Sequence, residues 1–257
     1  MIIPESVAKG DGEVILFLHG VGGGAYGWMP QINSFSMNHR AAAWNMPGYG
    51  DSPLLGPMSF PELADSLEAL LDDRGWEKVH LVGHSMGGMV AQEFAVGRQD
   101  RLLSLTLSAT SPAFGKPDGD FQKKFVEARL APLANGASMA DLATELVDTM
   151  MSEDADPNGR QLAFDCMAEV PADTYRAAVE CIVTFEQRAN LPNINVPTLV
   201  LAGETDTNAP APMMEKMAAK IPGARYVCLP GLGHLANLED PQAFDAALSD
   251  FLNAVSR

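Results

Sequence analysis

Gly83-His84-Ser85-Met86-Gly87-Gly88 places a serine among glycines, directly after an apolar run and directly before a helical pattern. This is the G-x-S-x-G arrangement in the context it requires. A strand that turns abruptly into a helix leaves the serine in a strained backbone conformation, and only neighbours without side chains let the turn close. A serine hydroxyl is a poor nucleophile until a base takes its proton and a carboxylate orients that base. For this elbow the chain order is serine, acid, histidine. His234, in Gly231-Leu232-Gly233-His234, is the histidine that follows at a distance, whereas His19, His39, His80 and His84 precede the elbow or sit inside it and are read as structural. The acid has two customary places. The loop after the next strand, Ser108-Ala109-Thr110-Ser111-Pro112, offers no carboxylate. The loop after the following one reads Gly203-Glu204-Thr205-Asp206, with Asp206 the candidate and Glu204 the fallback.

Acyl transfer also needs a pair of backbone donors aimed at the tetrahedral oxyanion. Met86, the residue after the serine, supplies one N–H at the start of a helix. The other is assigned to Val21 in the loop His19-Gly20-Val21-Gly22-Gly23-Gly24, which follows the first core strand. That loop has a rival reading, because Gly20, Gly22 and Ala25 fit a dinucleotide fingerprint. The fingerprint wants an acidic residue about 20 positions on, and Trp44, Asn45 and Met46 stand there instead. Tyr26 and Trp28, just beyond the glycines, are candidate walls of a substrate pocket. The sequence has no H-E-x-x-H and no cluster of Cys and His, so neither a metal nor an organic cofactor is expected. Cys166, Cys181 and Cys228 are odd in number, lack any close spacing, and read as buried reduced thiols.

These residues need elements to hold them. Apolar runs at 14–18, 41–44, 79–82 and 102–107 read as buried strands alternating with helical patterns, which implies a mostly parallel sheet with helices on both faces. A helix over 59–71 opens on the capping box of Ser59 with Glu62, and a second begins at Ser85 or Met86 and stops at Gly97. From 112 to 190 the strands give way to helical patterns at 121–130, 138–151, 160–168 and 172–188, the second behind an N-cap Ser138. The sheet pattern then resumes with strands at 198–202 and 224–229 and helices at 212–220 and 241–255. The expected organisation is an α/β core of residues 1–111 and 191–257, interrupted by a helical cap at 112–190.

Thirty-three acidic against seventeen basic residues give a formal net charge of -16 over 257 residues, which would repel nucleic acid. No run approaches the roughly 20 apolar residues of a membrane helix, and the first residues lack a secretory pattern. The reading is a cytoplasmic protein acting on a small molecule, with no membrane or nucleic-acid partner.

On these motifs the sequence resembles the α/β-hydrolase fold enzymes with a helical cap. The resemblance runs over essentially the whole chain: His19-Gly20, Pro47-Gly48-Tyr49-Gly50-Asp51-Ser52, the 83–88 elbow, Gly203 to Asp206, and Gly233-His234. It implies Ser85 as nucleophile, Asp206 as acid, His234 as base, and Val21 and Met86 as oxyanion donors. Within that family the chain looks most like small carboxylic-ester and enol-lactone hydrolases, the group that includes 3-oxoadipate enol-lactonase. Haloalkane dehalogenases and many epoxide hydrolases carry Asp at the elbow, where this chain has Ser85. Hydrolases of carbon-carbon bonds in ring-fission products commonly carry Trp after the histidine, where this chain has Leu235; that activity is the alternative. A non-catalytic binding scaffold of the same fold is the alternative from another class, and the intact set of Ser85, Asp206 and His234 argues against it. The cap is expected to build the substrate pocket with apolar side chains such as Met150, Met167, Phe121, Phe125, Phe164 and Phe185. Arg129, Arg176 and Arg188 are its candidates for pairing with a substrate carboxylate.

Overall fold

The computed structural model describes residues 3–54, 56–115 and 119–255. Seven strands form one sheet among them: β1 (Ser6–Lys9), β2 (Val14–Leu18), β3 (Arg40–Trp44), β4 (Val79–His84), β5 (Leu102–Ser108), β6 (Thr198–Gly203) and β7 (Arg225–Leu229), in the order β1-β3-β2-β4-β5-β6-β7. Every neighbouring pair is parallel except β1 with β3. The fold is therefore α/β with a mostly parallel sheet, as the alternation of strands and helices implies.

Both faces of the sheet are covered, which is why its strands are apolar throughout and not alternating. On β2, Leu16 and Leu18 point into one core with Leu81 and Leu107, while Ile15 and Phe17 point into the other with Val82 and Leu201. The first core is closed by α2 (Phe60–Arg74) and α3 (Met86–Gly97), the second by α1 (Met29–Phe35) and α10 (Pro241–Val255). Ser59 caps α2 as its sequence indicates, its hydroxyl accepting the Glu62 N–H. The register aligns Leu18 with Gly83 and Gly83 with Leu107, so the carboxyl ends of β2, β4 and β5 reach one level. Loops leaving that edge are where ligands bind in parallel sheets.

Between β5 and β6 lie α4 (Asp120–Ala134), α5 (Met139–Met150), α6 (Pro157–Ala168) and α7 (Ala172–Ile182). The capping box at the start of α5 is formed by Ser138 with Asp141. Where the sequence pattern carries the last of these helices to 188, α7 stops at Ile182. Its continuation pairs with the chain leaving β5: Gln187 N–H donates to the Pro112 carbonyl at 2.7 Å and Phe114 N–H to the Phe185 carbonyl at 2.9 Å. Backbone donors used across the segment are lost to the helix. After β6 come α8 (Ala211–Ala218) and, after β7, the short α9 (Ala236–Glu239).

Candidate active site

Ser85 sits between β4 and α3 with φ 52° and ψ -118°, a left-handed conformation that side-chain-bearing residues avoid. The strain is held in place from several sides. Ser85 N–H donates to the Ser108 carbonyl at 3.0 Å, while its own carbonyl accepts the Thr110 hydroxyl at 2.7 Å and the N–H groups of Gly88 and Met89. The turn closes because its flanks are bare: a Cβ on Gly83 would lie 2.4 Å from the Gly87 carbonyl oxygen, and one on Gly87 would lie 2.3 Å from that of Leu18.

His234, buried in the loop after β7, presents Nδ1 to Asp206 Oδ2 at 2.8 Å. Asp206 lies in the loop after β6, and its other oxygen accepts the N–H groups of Asn208 at 2.7 Å and Ala209 at 3.0 Å. Burial alone would raise the Asp206 carboxyl. The bond to His234, its charge, and the two N–H groups outweigh that and hold it below the ordinary carboxylate range. An ionised carboxylate only accepts, so the imidazole proton sits on Nδ1 and the Nε2 lone pair is left available. Glu204 is exposed and accepts the Gly231 N–H at 2.8 Å, whereas the His234 Nδ1 bond goes to Asp206.

The loop after β2 approaches the serine closely: a Cβ on Gly20 would stand 3.0 Å from that of Ser85. Neither Val21 N–H nor Met86 N–H donates to a protein acceptor among the described residues. The Met86 N–H belongs to the first turn of α3, where helical donors lack partners. Three side chains fix the loop. His19 Nδ1 donates to the Gly20 carbonyl at 2.8 Å and its Nε2 accepts the Met46 N–H at 3.0 Å, a neutral tautomer that burial enforces by pulling its pKa down to about 4. Tyr49 hydroxyl donates to the Val21 carbonyl at 2.7 Å, and Asn45 accepts the Ala25 N–H at 2.8 Å.

Ser85, His234 and Val21 line one cavity of about 670 Å³, roofed by residues of the 112–190 segment. Its roof is mainly apolar, with Phe121, Phe125, Met150 and Met167 contributing. Cys166 also faces it, but burial pushes that thiol up to about 12, so it stays protonated and unreactive at neutral pH. No group of three or more His, Cys, Asp or Glu is arranged to hold a metal among the described residues. No helix among them is long and apolar enough to cross a membrane.

A model of the alpha/beta hydrolase family matches residues 15–247. The chain belongs to the alpha/beta hydrolase family. A relative from Pseudomonas savastanoi pv. phaseolicola, named "Putative carbamate hydrolase RutD", is 30% identical over 250 residues, 95% of each chain. Among solved structures, a thermophilic esterase from Thermogutta terrifontis superposes with a TM-score of 0.90 at 26% identity, covering 99% of this chain and 97% of its own. The enol-lactonase from Burkholderia xenovorans gives 0.87 at 25% identity, covering 97% and 96%.

Against this alpha/beta hydrolase scaffold the pocket expectations divide. Trp28 lines the cavity, although most of its ring is core, 4.8 Å from the Phe17 ring centroid. Tyr26 does not line it. The residue is 62% exposed, because the short 3-10 turn Ala25–Trp28 directs neighbouring side chains to opposite sides. Arg129 and Arg188 reach the cavity and Arg176 does not; Phe164 and Phe185 pack away from it. Of the residues that hold the loops, His19 and His84 are structural, as the sequence has them, while the roles of Asn45, Tyr49 and Glu239 were not read from the sequence. For Asn45 and Tyr49 the one available signal was the Pro47 to Ser52 motif, which contains Tyr49 and begins two residues after Asn45.

Proposed function

We propose that the protein is a serine hydrolase of small carboxylic esters or lactones, working through an acyl-enzyme. Ser85 is the nucleophile, His234 the base and then the acid, Asp206 the orienting carboxylate, and the N–H groups of Val21 and Met86 the oxyanion hole. One juxtaposition carries the reading: Ser85, on its φ of 52°, opens into the same cavity as His234, whose Nδ1 is 2.8 Å from Asp206. As Ser85 Oγ attacks the carbonyl carbon, Nε2 of His234 takes its proton and the carbonyl electrons move onto oxygen, facing the two N–H groups. Collapse expels the alkoxide or enolate, which takes the proton back from Nε2. Water then repeats the cycle on the acyl-enzyme and frees Ser85. Residues 112–190 act as the cap that shapes the pocket. The carbamate hydrolase, esterase and enol-lactonase names of the relatives support cleavage at an acyl carbon.

The cavity lining also favours an acid-bearing substrate. Asp and Glu outnumber Lys and Arg by 33 to 17 in the chain, yet the described lining residues include Arg129 and Arg188 and no Asp or Glu. Arg188 is exposed and paired with Glu186, which leaves Arg129. Its guanidinium lies 5.3 Å from the Phe125 ring centroid and is hydrogen-bonded to the Tyr175 hydroxyl, and it forms no ion pair among the described residues. A hydrogen bond to a charged group contributes about 1.5–3 kcal/mol, roughly a 10- to 100-fold preference.

The test is a panel of an enol-lactone, short-chain esters, half-esters of dicarboxylic acids with their neutral counterparts, and a vinylogous 1,5-diketone. Ser85→Ala should lower kcat by several orders of magnitude and abolish labelling by a fluorophosphonate, with the circular dichroism unchanged. Undiminished hydrolysis by that variant removes Ser85 from its role. Half-esters should be preferred over their neutral counterparts, and Arg129→Met should shrink that ratio about 10- to 100-fold. Turnover of the diketone about 100-fold faster than every ester and lactone, about 2.7 kcal/mol of transition-state binding, would give the site to carbon-carbon cleavage.

A further inference from the structure

Glu239 is only 3% exposed, yet no Lys, Arg or His pairs with it among the described residues. A buried carboxylate is costly unless its oxygens are satisfied. Here three backbone N–H groups converge on it: Ser152 at 2.8 Å and Gly233 at 2.9 Å on Oε2, and Leu235 at 3.1 Å on Oε1. Gly233 and Leu235 are the two neighbours of His234. Ser152 belongs to the helical segment, two residues beyond the end of α5.

The same two pieces of chain meet elsewhere. His234 N–H donates to the Met150 carbonyl at 2.8 Å, and Asp156 N–H donates to the Glu239 carbonyl at 2.9 Å. Gly159, in α6, abuts α9 so closely that a Cβ there would lie 1.8 Å from the Leu238 carbonyl oxygen. From the core side, His84 Nε2 donates to the His234 carbonyl at 2.8 Å.

We infer that Glu239 is a positioning residue for His234, fastening both flanks of its loop to the end of α5, so that the α5–α6 pair supports the base as well as roofing the pocket. The inference rests on the reading of His234 as the base. Charge-assisted bonds to a carboxylate are short and strong, and three of them meeting at one group leave the loop little freedom. Glutamine has nearly the same shape, but one oxygen becomes an NH2 that donates, so at least one of the three N–H groups would face a donor. A displacement of about 1 Å at the reacting groups costs about 100-fold in rate.

Three measurements test this. In the native protein, amide hydrogen exchange at Ser152, Gly233 and Leu235 should be slow and should respond to denaturant together. Exchange at Ser152 orders of magnitude faster than at the other two overturns the inference without any variant. Glu239→Gln should lower kcat about 10- to 100-fold with KM within threefold, and should shift or broaden the low-field proton resonance of His234 Nδ1. Ser152→Pro, which removes the N–H on the helical side together with the hydroxyl, should act in the same direction; Ser152→Ala, which keeps the N–H, isolates the effect of the hydroxyl. A folded Glu239→Gln protein with native kcat and an unshifted resonance refutes the role, as does a loss confined to KM. Retained ester turnover in His234→Ala would instead remove the base assignment, and the exchange result would stand apart from it.

Discussion

Asp206 divides its oxygens between two tasks, one holding the imidazole and the other tied to the turn that holds the carboxylate itself. An amide at this position keeps the size but offers His234 a donor or an uncharged acceptor, so the ring loses the charge that stabilises its protonated form. Asp206→Asn should therefore lower kcat by about 10⁴ if the residue acts as a triad carboxylate does, with the fold unchanged. Glu204→Gln, altering only a solvent-facing bond to Gly231, should change kcat by less than threefold. Kinetics of both variants on one short ester decide the matter, and the opposite outcome moves the role to Glu204. Ser85, Asp206 and His234 stand out in the sequence because the proposed acyl transfer would demand those residue types in that chain order. Glu239 does not, since it bonds only backbone N–H groups, which no side-chain spacing announces. Tyr26 misled because adjacency in sequence says little about direction within a tight turn.

The strand-to-helix elbow is the element on which the site turns. Gly83→Ala would drive a methyl group against the Gly87 carbonyl oxygen and to 2.6 Å from the Gly88 Cα, both backbone atoms that can move only by opening the turn. Overpacking of this kind costs about 3 kcal/mol or more, and the variant should also lose the close approach of Ser85 to the Val21 loop. Gly97, at the exposed end of the same helix, has nothing within 4 Å of its would-be Cβ. Gly97→Ala should stabilise by about 0.5–1 kcal/mol through helix propensity. Urea unfolding of the two variants gives the comparison, and equal effects would mean that the elbow has slack. The central strands were legible because burial on both faces makes them continuous apolar runs. β1 was not, since it is a half-exposed edge strand ending in Lys9, and α1 is too short for its period to register. The overshoot of α7 has a tertiary cause: the pairing of 185–187 with 112–114 overrides a helical pattern that sequence alone cannot distinguish from the real one.

Across the whole molecule, buried histidines set the acid limit of stability. His19 and His84 are fully enclosed and bonded as neutral rings, and burial carries their pKa values down to about 4 and about 3; in His84 the neighbouring His234 adds to the effect. Burial lowers His80 as well. An unfolded chain protonates each near 6.5, so between pH 6.5 and about 4 it binds more protons than the folded one. Stability must then fall as the pH falls, by about 1.4 kcal/mol per pH unit for each such histidine, with the full contribution present above pH 6.5. Asp206, held below the ordinary carboxylate range, adds a loss of the same sign at lower pH. One effect opposes this: a net charge of -16 repels itself, and protonating surface carboxylates relieves that strain. Surface repulsion acts through water and is screened within about 8–10 Å at moderate salt, whereas buried rings have no such shield, so the histidines prevail. Urea unfolding between pH 7.5 and 4.5, at low and at moderate salt, should show stability decreasing monotonically below pH 6.5 with a slope that salt changes little. A rise in stability from pH 7 to 5 that vanishes on adding salt would show that charge relief governs the fold and that these histidines take up protons without unfolding it.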